Sequence, residues 1–145
     1  MKQIFSRAVG ILLVLALSAC STNGKPKAGA SYSGTIDVPK EKATSALLSF
    51  KISDDGTQVT KISIMLTDLH CETMSAGSMS QSASGSFALN GNQIDIQSDS
   101  IGELKGSFTS ASDASGTIHV AMKYKIMGSS ILCDLGTYPW KAKAR

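Results

Sequence analysis

Gly116-Thr117-Ile118-His119-Val120-Ala121-Met122-Lys123-Tyr124-Lys125-Ile126 alternates without a break. Ile118, Val120, Met122, Tyr124 and Ile126 fall on one side, and Thr117, His119, Ala121, Lys123 and Lys125 on the other. Successive side chains of a strand point to opposite faces, so this pattern predicts a half-buried strand of an antiparallel sheet. The same period recurs upstream, where Ala46, Leu48, Phe50 and Ile52 alternate with Leu47, Ser49, Lys51 and Ser53. Asp54-Asp55-Gly56 then supplies a turn, and Ile62, Ile64 and Leu66 form the apolar face of a return strand from about Gln58 to Leu69. Opposing Phe50 to Ile62 and Leu48 to Ile64 requires a three-residue or bulged connection. One residue of slip would turn the whole apolar face outward, so the pattern sets the register.

Further segments follow the same rule. Tyr32, Ile36 and Val38 share one face of a first strand, and Leu104 and Phe108 mark another. Asn90-Gly91 lies between two alternating segments, and a two-residue loop there opposes Phe87 to Ile94. Tyr138, Trp140, Ala142 and Ala144 define a last strand, in which Pro139 cannot donate to a ladder and so predicts an edge strand or a bulge. The reading is all-β: residues 31–145 form a single antiparallel β-sandwich of about eight strands, with a small β-barrel as the alternative closure. Trp140, Tyr32, Tyr124 and Tyr138 all fall on predicted inward faces, which favours core packing over a sugar-stacking platform.

The first twenty residues carry a different signal. Lys2 and Arg7 precede an unbroken apolar run from Ala8 to Leu17, and small residues lead to a cysteine in Leu17-Ser18-Ala19-Cys20. This stretch resembles the lipobox of bacterial lipoproteins. The resemblance implies a cleaved signal peptide (1–19), diacylglyceryl and fatty-acyl (palmitate-type) modification of Cys20, and attachment to a membrane of the cell envelope. Ser21 stands where that family usually carries Asp for inner-membrane retention, which implies the outer membrane if the host is Gram-negative. A ten-residue apolar run is too short to span a hydrocarbon core, which takes about 20 helical residues. Residues 20–30 read as a lipidated flexible tether, because Ser21 to Ala30 is small, polar and breaker-rich.

Cleavage before Cys20 leaves 126 of the 145 residues, the size of one domain. Loss of Lys2 and Arg7 lowers Lys plus Arg from 14 to 12 against 11 Asp plus Glu, so the formal charge falls from +3 to about +1. That balance carries no basic track for a phosphate backbone, and nucleic acid is not an expected partner. With Cys20 consumed by lipid, Cys71 and Cys133 remain. In an oxidising compartment they are expected to form one disulfide, since neither Cys-x-x-Cys nor a multi-Cys cluster points to redox or metal chemistry. The span Cys133 to Ala142, with its Cys, Gly-Thr and Trp-x-Ala, resembles the ending of small uncharacterised secreted β-domains, which implies a fold and no function.

His70 to Ser82 contains no aliphatic residue larger than Ala apart from Met74 and Met79. It reads as a long mobile loop and as the candidate binding segment, with Glu72, Met74, Met79 and Gln81 as contact residues. A sharper alternative is a soft-metal site, in which the imidazole of His70 and the thioethers of Met74 and Met79 hold Cu(I). No other cofactor is expected beyond the covalent lipid on Cys20. The catalytic inventory is thin: there are two histidines, and the hydrolase elbow and Ser-x-x-Lys are both missing. A noncontiguous Ser, His119, Asp triad is left open by the residue types, but a lone strand histidine is more often a solvated residue. Cys71 as nucleophile fails if the disulfide forms, and a glycosidase pair would need a carboxyl raised in a cleft. The expectation is a non-enzymatic, lipid-anchored envelope protein whose domain binds an envelope protein or component. The alternative is a periplasmic small-ligand or copper-binding lipoprotein.

Overall fold

The computed structural model describes residues 24–145, apart from Thr73 and the side chains of Met74, Tyr124 and Ile126. Residues 1–23, with the expected signal peptide and Cys20, lie outside the described residues. The strands are β1 (Ser31–Ile36), β2 (Ser45–Ile52), β3 (Gln58–Thr67), β4 (Leu69–Cys71), β5 (Met74–Ala76), β6 (Met79–Ala88), β7 (Gln93–Ser98), β8 (Gly102–Phe108), β9 (Asp113–Ile126) and β10 (Ser129–Ala144). Eight of them form one antiparallel sheet in the order β6-β3-β2-β1-β10-β9-β8-β7, and β4 pairs with β5 in a separate hairpin. Because β10 returns to pair with β1, this is an up-and-down meander nearly closed into a barrel. The closure is thus the barrel alternative; continuous ladders join all eight strands, where a sandwich would divide them between two facing sheets.

The inward face is the one that alternation marks. Ala46, Leu48, Phe50 and Ile52 are all buried, and Phe50 pairs with Ile62 and Leu48 with Ile64, as expected. The required irregularity is Thr60, an extra residue of β3 between the pairs Lys51–Lys61 and Ile52–Val59. Tyr32, Phe50, Phe108 and Trp140 meet in the core: Tyr32 stacks on Phe50 at 5.2 Å, and Trp140 stands edge-on to Phe50 at 5.9 Å. Room for the indole comes from Gly106 and Gly116, which face each other across β8 and β9 beside Trp140. A Cβ on Gly106 would lie 2.5 Å from Trp140 Cζ2.

Four expectations are corrected. The Phe87–Ile94 pair does not form: the turn closes with the single bridge Asn90–Gln93, after which Phe87 pairs with Val59 on β3 and Ile94 with Gly106 on β8. Gly85 and Ser86 together oppose the single Thr60, and this bulge bends β6. Pro139 is not on an edge, since β10 lies between β1 and β9. Its carbonyl accepts the Asp37 N–H at 2.9 Å just past the end of β1, so its nitrogen faces the place where that ladder stops.

The last strand begins eight residues before Thr137. Leu135 is an extra residue between the pairs Asp134–Ala121 and Gly136–Val120, and inward positions change from Cys133 and Leu135 to Trp140 and Ala142 across it. Finally, residues 24–30 are not a free tether. Gly24 and Ala30 are buried, Lys27 N–H donates to the Tyr32 hydroxyl, and Gly29 N–H donates to Ser53 O. The small residues that suggested flexibility instead let this backbone pack close; a Cβ on Gly24 would collide with the Phe108 carbonyl.

The barrel therefore has two distinct ends. One carries residues 24–30 and the turns β2–β3, β6–β7 and β8–β9; the other carries the loop 37–44, the β4–β5 hairpin, the β7–β8 turn and the β9–β10 hairpin. Among the described residues the buried core runs from Ala30 to Ala142. At the first end, the carboxylate of Asp55 is drawn down from 3.8 to about 2, first by the Ser53 hydroxyl and then by the Thr57 amide and hydroxyl. A depressed folded-state pKa means stabilisation that is present above the ordinary Asp value and lost as pH falls through the folded one. Thermal unfolding of Asp55→Asn should therefore lack a part of the stability loss that the parent chain shows between about pH 4 and pH 2. Equal pH profiles for the two chains would refute this.

Candidate functional site

The end opposite residues 24–30 is where the chain invests in structure beyond the barrel. β8 pairs with β9 only as far as His119, and β1 pairs with β10 only from Trp140 onward. Among the described residues the ladder partners of positions 120–135 lie within β9 and β10; Val120, Met122, Cys133 and Leu135 still pack in the barrel core, and the hairpin beyond them projects as a two-stranded arm. A lone hairpin is marginal in water, so it needs bracing. The Cys71–Cys133 disulfide, with Cα atoms 5.8 Å apart, ties the arm to the β4–β5 hairpin. Lys42 adds a second tie: its Nζ donates to Leu135 O at 2.7 Å and sits 5.7 Å from the Tyr138 ring centroid, while its carbonyl accepts the His70 N–H at 2.8 Å. The Lys42 ammonium titrates above the ordinary lysine value, chiefly through hydrogen bonding with Tyr138.

A third brace straddles the β10 bulge. His119 Nδ1 is 3.0 Å from Thr137 Oγ1 and its Nε2 is 3.2 Å from Asp134, whose other oxygen accepts the Gly136 N–H at 2.9 Å. The residue types of a Thr, His, Asp relay are thus together, but they lie on the exposed outer face. Both imidazole nitrogens are engaged in holding the irregular strand. Gly136 takes φ 102° there, a conformation open to glycine.

At the tip, Met127 and Gly128 form the whole two-residue loop, with φ 49° and 85°. Both values are positive, the type I′ pattern that Asn-Gly adopts with least strain. A methionine in this conformation carries strain of about 1–2 kcal/mol. Its side chain is fully exposed, and Leu132, opposite Lys123 further down the same hairpin, is 55% exposed. Lys123 and Lys125 are exposed on the same hairpin.

The expected binding segment is more ordered than its composition suggested. Glu72 is exposed in the β4–β5 turn, Met74 pairs with Cys71, Met79 opens β6 opposite Leu66, and Gln81 pairs with Ile64. Ser, Ala and Gly can occupy β6 because only Ala83 is fully buried there, and its backbone is satisfied by β3. The proposed copper ligands are distributed over two sheets. His70 is paired with Ser75, and its Nδ1 lies 3.0 Å from the Ser75 hydroxyl; Met79 packs on the barrel core. The arm residues Met127 and Leu132 were not singled out by the sequence reading, although Ile131, Cys133 and Leu135 alternate in a recognisable strand pattern. No family model matches the chain, and neither curated proteins nor solved structures yield a match.

The described clefts are open grooves on the outer wall. The largest, about 790 Å³, runs beneath the loop 37–40 between β2 and β10, lined by Val38, Pro39, Leu47, Pro139 and Lys141 among others. Among the described residues there is no group of three or more His, Cys, Asp and Glu placed to hold a metal ion.

Proposed function

We propose that this chain is a bacterial cell-envelope lipoprotein, held to the membrane by acyl chains on Cys20, whose barrel binds an envelope protein through the braced arm at its far end. The reading is one of binding, not catalysis. The observation that carries it is the polarity of the barrel: the segment leading from Cys20 packs on one end, while Met127 and Leu132 are displayed at the other. A strained, fully exposed methionine on a disulfide-braced support has the adaptable apolar surface that protein contacts use. The host is expected to direct it to the outer membrane if it has one, since Ser21 follows the modified cysteine.

Photo-cross-linking in intact cells tests the arm. A benzophenone side chain in place of Met127 should give a discrete higher-mass adduct, whereas the same group in place of Thr57, at the opposite end, should give none. Absence of an adduct from position 127, or equal adducts from both positions, would overturn the assignment.

A further inference from the structure

The ladder registers lay out the outer wall near the N-terminal end in layers. The Arg145 N–H donates to Ser31 O, Ser31 pairs with Lys51, and Lys51 with Lys61. One step away, Lys143, Ser33, Ser49 and Ser63 follow one another across β10, β1, β2 and β3. Lys25, Lys27, Lys51, Lys61, Lys141, Lys143 and Arg145 are all exposed. Around this end Lys25, Lys27, Lys51, Lys61, Lys143 and Arg145 are six cations against three acids, Asp54, Asp55 and Asp113, which leaves six cations against eight acids for the rest of the described residues. The small net charge of the body conceals a separation along the barrel axis.

Two features set this rim apart from an ordinary solvated surface. Lys51 and Lys61 are directly opposite in the ladder, an arrangement that destabilises a sheet. Among the described residues, neither they nor Arg145 form an ion pair. The rim also surrounds the place where the chain arrives. Gly24 is buried against the β8–β9 turn only four positions after Cys20, and four residues extend at most about 14 Å. A free tether of ten residues would allow about 35 Å.

We propose that this cationic rim is a docking surface for anionic phospholipid headgroups, which sets the barrel upright with its arm pointing away from the bilayer. The orientation rests on the lipid-anchor reading given above; the affinity of the rim does not. Each Lys or Arg near an anionic leaflet contributes attraction that fades over about a Debye length, roughly 8 Å in physiological salt. A body held within about 14 Å is close enough to make that contact, and the serine layer adds hydroxyl donors for phosphate oxygens.

The test uses the chain from Ser21 onward, which contains the whole described body and lacks Cys20. It is sedimented with vesicles of phosphatidylethanolamine plus phosphatidylglycerol, and with vesicles of phosphatidylcholine alone. Binding to the anionic vesicles should fall about tenfold or more in Lys51→Gln/Lys61→Gln/Arg145→Gln, and should be unchanged in Lys123→Gln/Lys125→Gln at the other end. These side chains are exposed, and circular dichroism of each variant confirms that the sheet is intact. Equal binding to both vesicle types, no loss in the triple variant, or loss in the arm variant would each overturn the proposal. Because Cys20 is absent from this assay, its failure leaves the anchor untouched, and failure of acylation in the full chain leaves the rim untouched.

Discussion

Trp140→Ala is expected to lower the unfolding free energy by about 3–5 kcal/mol, the largest effect of any single side chain in the barrel. The indole is 1% exposed and reaches from β10 across β9 to β8. Its Nε1–H is shared between Lys105 O at 3.0 Å and Thr117 O at 3.1 Å, so truncation removes a donor from two carbonyls as well as opening a cavity. The cavity cannot be refilled from nearby, because Gly106 and Gly116 have no side chain to move into it. Trp140→Phe should recover part of the loss, since it keeps ring volume and the edge contact with Phe50 but not the hydrogen bonds. Urea unfolding followed by far-ultraviolet circular dichroism measures this, because Trp140 is the only tryptophan. A loss below about 1 kcal/mol would mean that the indole is not the keystone of the core.

The second large effect is loss of the disulfide. In the chain-entropy description, a bridge between positions 62 apart stabilises by about 4 kcal/mol. That is a large part of the roughly 5–15 kcal/mol by which a domain of this size is stable. Cys71→Ala/Cys133→Ala should therefore lower the unfolding midpoint sharply. Its local signature is more specific: β4 and β5 pair only with each other and sit outside the barrel sheet. Amide exchange of residues 69–76 and of the arm should accelerate more than that of β2 and β3. Uniform acceleration through the barrel would show that the bridge staples the whole fold instead of the far end.

How much of this was legible depended on whether a single residue could shift the parity of a strand. Ala46 to Ile52 and Ile62 to Leu66 were readable, together with the bulge between them, because each strand keeps one inward parity over its whole apolar run. β10 was readable from Tyr138 to Ala144 and unreadable before it. The bulge at Leu135–Gly136 changes the inward set from odd to even numbers, so the arm did not continue the pattern that Trp140 had established. The first part of β6, Met79 to Ser82, was hidden for another reason: its serines suit an outward face and its backbone is paired by β3, neither of which composition reports. Residues 24–30 look like a linker by every local criterion and are recruited by distant partners, Ser53 and Phe108, and by the nearby Tyr32. Of the candidate site, the cysteine pair was legible. The arm tip was not, since Met127 owes its interest to a backbone angle and an exposure that only the fold creates.

The polarity of the barrel gains its meaning from Cys20, and the Cys20 thiol can be examined directly. Membrane-fraction protein from the native host should yield, on proteolysis and mass spectrometry, an amino-terminal peptide that begins at Cys20 and carries two or three acyl chains. Cys20→Ser should leave the signal uncleaved at that position and the peptide free of lipid. One acyl chain alone holds a protein only reversibly, so durable membrane recovery also requires the multiply acylated form. An amino-terminal peptide that begins elsewhere, or one that begins at Cys20 without lipid, would contradict the account.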